Sequence, residues 1–383
     1  MNHPSSDDWD PEDEAVREDQ RAAYDELRER CPVAHSRLRG WSVLRHADVL
    51  QVLHDHASFS NVVSAHRAVP NGMDPPEHDA YRRIVEAYFE PAPMAAFEPR
   101  CRDIAAQLVR SLPAGELDLV AALADPFAVQ VQCAFMGWPD DMREPIRQWT
   151  RRNYEARRAA DPALTRGIAR EFEEHVVALL QARRHAGDRA PDDVTTRLLR
   201  EQVDGRPLRD DEIVSIVRNW TVGEIATISA SIGILAEHLA LDAPLQDRLR
   251  AQPSLLPPAI DEILRLHGPL VTNRRVTTRP VELGGRTIAA GERISVNWVA
   301  ANRDPRAFED AQAFRLDRDP ARNLLYGAGI HVCPGAPLAR MELRVVMEEL
   351  LARTRHIEPL AEHRPDRAVY PSSGFSTLML RLR

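Results

Sequence analysis

The spacing of apolar and polar residues along the chain predicts a mostly helical protein. Apolar residues recur at helical intervals through most of the chain from residue 21 to residue 250, with breaks at short stretches rich in Pro, Gly and Asp. The longest such pattern, DEIVSIVRNWTVGEIATISASIGILAEHLAL at 211–241, predicts one long central helix. A last helix is expected to begin near Pro337 and to end near Arg355.

A change to alternating spacing predicts a small β portion. Between residues 271 and 298 the period becomes two, and Gly284-Gly285 and Ala290-Gly291 are typical of hairpin turns. The C-terminal stretch SSGFSTLMLRLR predicts a closing strand. The pattern therefore indicates a mainly α fold with a small β portion. We expect a disordered acidic arm at 1–20, followed by a single domain at 21–383.

Composition and charge narrow the class of protein. The chain has 383 residues and a formal net charge of −8, which argues against nucleic acid as a partner. It has no apolar run of about 18 residues, and its acidic N-terminus lacks the apolar core of a signal peptide. We therefore expect a cytoplasmic protein without a membrane span, and we expect it to be a monomer.

One cysteine stands in an unusual context. Cys31, Cys101 and Cys133 lie in apolar or helical surroundings, whereas Cys333 lies in LLYGAGIHVCPGAPLAR, a glycine-rich loop that leads into the last helix. Backbone N–H groups in such a loop, and the positive end of the following helix, stabilise negative charge on sulfur. Residue types alone leave four interpretations of Cys333 open: a zinc ligand, a catalytic nucleophile with His331 as base, a ligand of haem iron, or part of a purely structural loop.

The whole loop resembles the haem-binding loop of the cytochrome P-450 family, an aromatic residue followed by G-x-G-x-H-x-C-x-G-x-x-L-A-R. The positions that match are Gly327, Gly329, His331, Cys333, Gly335, Leu338, Ala339 and Arg340. The usual Phe is replaced by Tyr326, which keeps the ring and adds a hydroxyl. The resemblance implies the triangular P-450 fold, with haem b (heme b, iron protoporphyrin IX) buried between a long distal helix and the helix after the cysteine loop. It also implies that Cys333 is the axial thiolate of the haem iron.

Weaker motifs in the same order extend the resemblance from about residue 20 to the end of the chain. Glu262-x-x-Arg265 resembles the structural pair that fixes the core beneath the haem. His78 and Arg82, in DPPEHDAYRR, match the family's contacts to one haem propionate. Arg275 matches the arginine that pairs with the other propionate. The loop residues Tyr326, Gly327 and His331 complete the expected cofactor-binding set.

The central helix departs from the family pattern A/G-G-x-D/E-T, in which an acid and an alcohol deliver protons to iron-bound dioxygen. The alcohol falls on Thr227, but the acid position holds Ala226, and a carboxylate stands instead at Glu224. Glu224 could relay protons through Thr227 and water, hold a polar group of the substrate, or be structural. Gly223 is expected to allow a local opening of the helix for dioxygen or water. The side chains proposed to line the substrate pocket are Trp220, Gly223, Trp298 and Phe375.

The resemblance implies a haem-thiolate monooxygenase that hydroxylates a small organic substrate with dioxygen. Electrons are expected from a separate ferredoxin and ferredoxin reductase, because the chain carries no flavin or iron–sulfur module of its own. One alternative is a peroxide-driven peroxygenase or an oxidase with an altered relay, since Ala226 replaces the usual acid. A haem-binding sensor without catalytic activity is the alternative from another class.

Overall fold

The computed structural model describes residues 8–11, 13–64, 67–158, 162–368, 370 and 372–383. The fold is mainly helical with small sheets, as the sequence pattern predicts. The helices among these residues are α1 (Glu14–Glu18), α2 (Gln20–Arg30), α3 (His46–His54), α4 (Glu77–Ala87), α5 (Pro91–Ser111), α6 (Asp125–Met136), α7 (Arg143–Arg158), α8 (Pro162–Ala186), α9 (Val194–Leu198), α10 (Asp210–Leu241), α11 (Ala243–Ala251), α12 (Leu256–His267), α13 (Trp298–Asn302) and α14 (Ala336–Arg353).

The strands form small sheets beside the helices. They are β1 (Val33–Ser36), β2 (Gly40–Val43), β3 (Phe59–Ser60), β4 (Gly115–Asp118), β5 (Gln202–Val203), β6 (Arg206–Pro207), β7 (Thr272–Thr277), β8 (Val281–Leu283), β9 (Arg286–Ile288), β10 (Arg293–Asn297), β11 (Ile357–Pro359), β12 (Asp366–Arg367), β13 (Phe375–Thr377) and β14 (Met379–Leu382). The largest sheet has the order β1-β2-β10-β7-β3, and its β2–β10 pair is parallel. A three-stranded sheet, β11-β14-β4, pairs the last strand, β14, with β4 in the first third of the chain.

The long helix α10 forms the centre of the helical core. It packs against α6, α8, α12 and α14, and α14 packs in turn against α5. Its first turn carries Glu212, whose carboxylate accepts a hydrogen bond from the N–H of Arg209 at 2.8 Å, which pairs an N–H group left free at a helix start. By length and composition α10 could cross a membrane, but 61% of its apolar window is buried inside the protein. A helix buried in the core of a protein can have the same length and apolar composition.

The N-terminal arm is more ordered than its acidic composition predicts. Trp9 is buried edge-on against Tyr24, with ring centroids 6.0 Å apart. Asp19 ends α1 and caps α2, since its carboxylate accepts from the N–H groups of Arg21 and Ala22. The expected disorder therefore does not hold for residues 8–11 and 13–20, because burial of an indole ring anchors this segment. Residues 1–7 and 12 of the arm lie outside the described residues, and the single domain at 21–383 stays a prediction.

Candidate functional site

Glycines in left-handed backbone shape the loop before α14. Gly327 and Gly329 have φ angles of 74° and 70°, a region that costs L-residues free energy. A Cβ atom at Gly329 would lie 2.4 Å from the carbonyl oxygen of Leu53 in α3, so only glycine fits there. The loop then turns back, and the N–H of Cys333 donates to the carbonyl of Tyr326 at 2.8 Å. This backbone fixes Cys333 directly before the first turn of α14.

The Cys333 side chain is exposed, yet protein surrounds it on most sides, so it lies on the wall of a concavity. Burial raises the pKa of its thiol, while the N–H groups of Gly335 and Ala336 and the charge of Arg82 act in the opposite direction. Those N–H groups belong to the start of α14, where the helix dipole favours an anion. A metal cation on the sulfur would supply the compensation that these groups provide only in part.

Cationic side chains gather beside the same loop. The rings of His78 and His331 have centroids 4.4 Å apart, and the Nε2 atom of each is buried with no hydrogen-bond partner among the described residues. Arg82 is buried and donates to the carbonyl of Val332 at 2.6 Å. Arg275 is also buried, and no carboxylate of the described residues lies within ion-pair distance of it. The cluster therefore has donors that point at no protein acceptor.

The local electrostatics favour a bound anion at this cluster. Burial lowers the pKa of Arg275 to about 10, and Asp74 opposes the shift. Burial, together with the charges of His78, Arg275 and Arg82, lowers the pKa of His331 to about 3. Carboxylates would relieve the desolvated cation and pair the free imidazole donors. These residues fit the two propionates of haem b, and Cys333 fits the ligand of its iron.

The middle of α10 presents an open face. Gly223 and Ala226 are exposed and Thr227 is half-buried, although most of the helix lies in the core. A Cβ atom at Gly223 would meet no other atom within 4 Å. The hydroxyl of Thr227 donates to the carbonyl of Gly223 at 2.6 Å, and α10 runs unbroken from Asp210 to Leu241. The expected local opening at Gly223 is absent from the structure, even though a hydrogen bond of this kind, from a threonine to the carbonyl four residues earlier, often bends a helix.

Glu224 does not turn fully toward that open face. It is half-buried and its carboxyl group faces the carboxyl of Glu342 in α14, which has no exposed surface. Burial raises the pKa of both groups, and at Glu342 the charge of Glu224 acts in the same direction. Sequence reasoning missed Glu342. Its one signal was a lone acid between apolar residues of the last helix, in ARMELRVVM.

The structure brings Glu262 and Arg265 together in the core. The Nε and Nη2 atoms of Arg265 donate to the two carboxylate oxygens of Glu262 at 2.7 and 2.9 Å. The guanidinium also donates to the carbonyls of Asn302, Ala311 and Ala313. Glu262 further accepts from Arg318 at 2.8 Å. This bidentate pair fixes the chain between α13 and the cysteine loop onto α12.

Trp220, a predicted pocket residue, belongs to an aromatic cluster. Its ring centroid lies 5.4 Å from that of Tyr88, 5.3 Å from Phe89 and 6.3 Å from Phe135. Phe89 in turn reaches within 3.8 Å of a Cβ atom placed at Gly335. The cluster therefore packs beside the cysteine loop, which favours a packing role for Trp220 over a substrate-pocket wall.

The other two predicted pocket aromatics lie in different places. Trp298 is buried, and its ring lies 3.7 Å from a Cβ atom placed at Gly327. It contacts the cysteine loop there, which favours a supporting role for Trp298 over the predicted pocket wall. Phe375 in β13 packs against Gly233 of α10, 3.4 Å from a Cβ atom placed there. Gly233 follows Thr227 by six residues, about 9 Å along the helix, and the pocket role of Phe375 stays a prediction.

A zinc site finds no support in this arrangement. Within the described ranges, no group of three or more His, Cys, Asp or Glu side chains is placed to hold a metal ion. One cysteine at a helix start, buried imidazole nitrogens without a partner among the described residues beside two buried arginines, and a long helix with an open face define instead a haem-thiolate protein.

The chain belongs to the cytochrome P450 family. The family profile described as Cytochrome P450 matches residues 161–375. A cyclomarin C epoxidase from Salinispora arenicola, CymV, is 34% identical over 352 residues, which cover 87% of this chain and 88% of the relative. The chain is therefore a cytochrome P450 monooxygenase that uses haem b.

Two further comparisons agree on the family and the fold. Erythromycin C-12 hydroxylase from Saccharopolyspora erythraea is 34% identical, with 85% of each chain covered. The ligand-free structure of cytochrome P450 TbtJ1 superposes with a TM-score of 0.88 at 31% identity and covers 100% of both chains. The triangular P450 fold expected from the cysteine loop is thus confirmed.

Proposed function

We propose that this monooxygenase oxidises an organic substrate of secondary metabolism, with electrons from a separate ferredoxin and ferredoxin reductase. The observation that carries the proposal is the cysteine loop. Its backbone adopts positive φ angles at glycines and so holds Cys333 at the start of α14. The relatives named for epoxidation of cyclomarin C and for hydroxylation of erythromycin support a natural product as substrate. A cytoplasmic location and a monomeric state are part of the proposal.

The geometry supports the following roles for the chain's own residues. Bound haem b supplies the iron centre at which dioxygen is activated. Cys333 ligates that iron, and the buried donors of His78, His331 and Arg275 bind the propionates. Arg82 fixes the backbone beside the cysteine through the carbonyl of Val332 and is also placed near His331.

The open face of α10 is the proposed side for dioxygen and substrate. The Thr227 hydroxyl can accept a hydrogen bond from a proton donor while it donates its own hydrogen bond to the carbonyl of Gly223. Glu224 lies one helical turn before Thr227, so the two side chains share one side of α10. We assign proton delivery to Glu224 through Thr227 and water. A substrate-holding role for Glu224 is disfavoured because its carboxyl faces Glu342.

A peroxide-driven reaction is the second candidate function, and one observation favours it. Ala226, at the position of the usual acid, is exposed on the open face and carries no proton donor. Hydrogen peroxide would supply the oxygen atom, and it would also bring the protons that a relay otherwise delivers.

The test compares the two oxidants on the haem-loaded protein. Ferrous–carbon monoxide absorption first establishes thiolate ligation, with Cys333→Ser as the variant expected to lose it. A ligand screen by haem spin-state shift then selects substrates. Product formed with ferredoxin, reductase and reduced nicotinamide, and little with peroxide alone, supports the monooxygenase. Product with peroxide alone supports the second candidate, and thiolate ligation without product from any ligand would contradict both.

A further inference from the structure

A chain of hydrogen bonds joins the start of α2 to the ends of α12 and α10. The guanidinium of Arg21 donates through Nη1 to Nδ1 of His267, the last residue of α12. Nε2 of His267 lies 3.4 Å from Nδ1 of His238 in α10, and the two ring centroids are 5.5 Å apart. The three side chains therefore form one line that runs from α2 into the helical core.

The order of donors and acceptors fixes where each proton of this chain lies. A guanidinium only donates, so Nδ1 of His267 accepts, and the ring carries its proton on Nε2. That N–H points to Nδ1 of His238, which must then accept. Both rings are therefore neutral. A proton added to either Nδ1 would set two donors against each other, and at His267 it would place a second positive charge beside Arg21.

The surroundings of the two rings also act against protonation. Burial lowers the pKa of His267 to about 2, and the neighbouring cations act in the same direction. Burial lowers the pKa of His238 as well, and Asp242 and Glu262 oppose that shift. The charged and titratable groups that face the pair from the packed elements are Asp19, Arg21 and Asp25 at α2, Glu237 and Asp242 at the end of α10, Glu262 in α12, Arg303 after α13, and Arg367 in β12.

The segment that carries Arg21 is fixed at its two ends. Trp9 and Tyr24 are both buried and pack edge-on against each other, so the chain between them leaves and returns at one place. We call residues 13–23, which hold α1 and the first turn of α2, the N-terminal strap. Because its ends are fixed by their own packing, the strap can lift from the core while the rest of α2 stays in place.

The cleft beneath the N-terminal strap reaches the far end of the open face of α10. Residues 19–21 line this cleft together with Gly374 and Phe375. A Cβ atom placed at Gly374 would lie 3.4 Å from the Cβ of Ala230, which follows Thr227 by three residues. The strap therefore covers the segment that packs against α10 just beyond the proposed substrate side.

We propose that the N-terminal strap is an acid-sensitive cover, closed at neutral pH by the bond from Arg21 to a neutral His267 and lifted in mild acid when the histidines take up protons. The proposal goes beyond the proposed function and does not depend on it. It gives a role to two histidines that the haem site does not use.

The sign of the pH dependence follows from the binding of protons to each form. The closed strap lowers the pKa of both rings, whereas lifting restores values near the ordinary pKa of about 6.5. The lifted form therefore binds more protons, so closure is strongest above pH 6.5 and weakens as pH falls below it. Between pH 7.5 and 5.5 the equilibrium constant for lifting should rise about tenfold for each histidine that regains its ordinary pKa.

Glu237 acts in the opposite sense. Burial raises the pKa of its carboxyl group, and Arg367 and Arg21 oppose the shift. The closed form therefore favours a protonated Glu237, which would strengthen closure in acid. Removal of this group by Glu237→Gln should leave the acid effect in place or enlarge it.

Hydrogen–deuterium exchange of the haem-loaded protein at pH 7.5 and 5.5, followed by mass spectrometry, tests the proposal. After correction for the intrinsic pH dependence of exchange, the amides of residues 13–23 should exchange about ten to a hundred times faster at pH 5.5. The amides of residues 25–30, in the part of α2 that stays in place, should not change. Equal corrected rates for the strap at the two pH values would overturn the proposal in the wild-type protein alone.

Variants identify the groups responsible. Glutamine offers an acceptor oxygen and a donor nitrogen but takes up no proton in acid, so His267→Gln combined with His238→Gln should keep the strap closed at both pH values. Arg21→Met should give exchange at pH 7.5 that already approaches the wild-type rate at pH 5.5. The matched control is His185→Gln, at an exposed histidine of α8, which should leave the acid effect unchanged.

Two results with these variants would refute the proposal. One is a double glutamine variant that binds haem and keeps the full acid effect, and the other is an acid effect of equal size in residues 25–30. None of the measurements needs a substrate or an oxidant. They therefore decide the strap whether the proposed function holds or fails.

Discussion

Replacing Arg265 by alanine removes a cation that is 1% exposed and uses all its donors. Two donors pair with Glu262 at 2.7 and 2.9 Å, and the remaining contacts reach three backbone carbonyls between 2.5 and 3.3 Å. Removal of one partner from a buried ion pair costs about 3–5 kcal/mol, because the other charge stays buried and uncompensated. Glu262 keeps its bond from Arg318, so we expect a loss near the middle of that range, about 4 kcal/mol.

The magnitude is large against a total stability of about 5–15 kcal/mol. The assay is urea denaturation of the haem-loaded protein, followed by haem absorption and by tryptophan fluorescence. Arg265→Lys should recover less than half of the loss, because an ammonium cannot reproduce the planar fork. The control is Arg147→Ala, which removes an exposed ion pair with Glu144 at 2.7 Å and should leave the midpoint unchanged. A loss below about 1 kcal/mol for Arg265→Ala would refute the reasoning, since that is the worth of a surface pair.

Three further predictions concern other parts of the structure. Gly329→Ala should sharply lower haem retention, because the added Cβ would clash with the Leu53 carbonyl. The control Gly205→Ala is also at positive φ but in open space, so it should lower the free energy of unfolding by only about 1 kcal/mol and retain haem. Equal haem retention in both variants would contradict the steric argument. Tyr326→Phe should raise stability toward urea by about 1 kcal/mol, because it removes a buried hydroxyl without a partner among the described residues. Burial pushes the pKa of Glu212 upward, but hydrogen bonds from Arg206, Tyr81 and the N–H of Arg209 hold that pKa at about 2, below the ordinary 4.5. Stability from Glu212 should be present above pH 4.5 and lost as pH falls toward 2, so Glu212→Gln should flatten the acid limb of a plot of urea midpoint against pH.

The sequence predicted the helical architecture and the cysteine loop well, for two different physical reasons. Long apolar periodicity defines α10, and glycine makes accessible the left-handed backbone that the loop adopts at Gly327 and Gly329. Aromatic residues were harder to assign. Trp298 was expected to line the substrate pocket, and its ring contacts the cysteine loop at Gly327; the sequence does not indicate which neighbour an aromatic ring packs against.

The carboxyl pair shows another limit. Glu224 stood out because it lies near a family motif, but its partner Glu342 lies more than a hundred residues away on a helix with an ordinary amphipathic pattern. Only the packing of α10 on α14 brings the two together. The order of residues 13–20 was likewise missed, since a single indole, Trp9, outweighs the acidic composition around it.

The close approach of Gly329 to Leu53 also bears on biosynthesis. The cysteine loop rests on α3, and Arg82 of α4 reaches the carbonyl of Val332, so the site joins parts of the chain about 250 residues apart. A ribosome adds residues from the N-terminus, and the early helices emerge long before the loop that they hold. The cofactor cradle is therefore completed only after the cysteine loop has itself been synthesised. Haem capture then has to wait for that loop, long after the early helices have emerged.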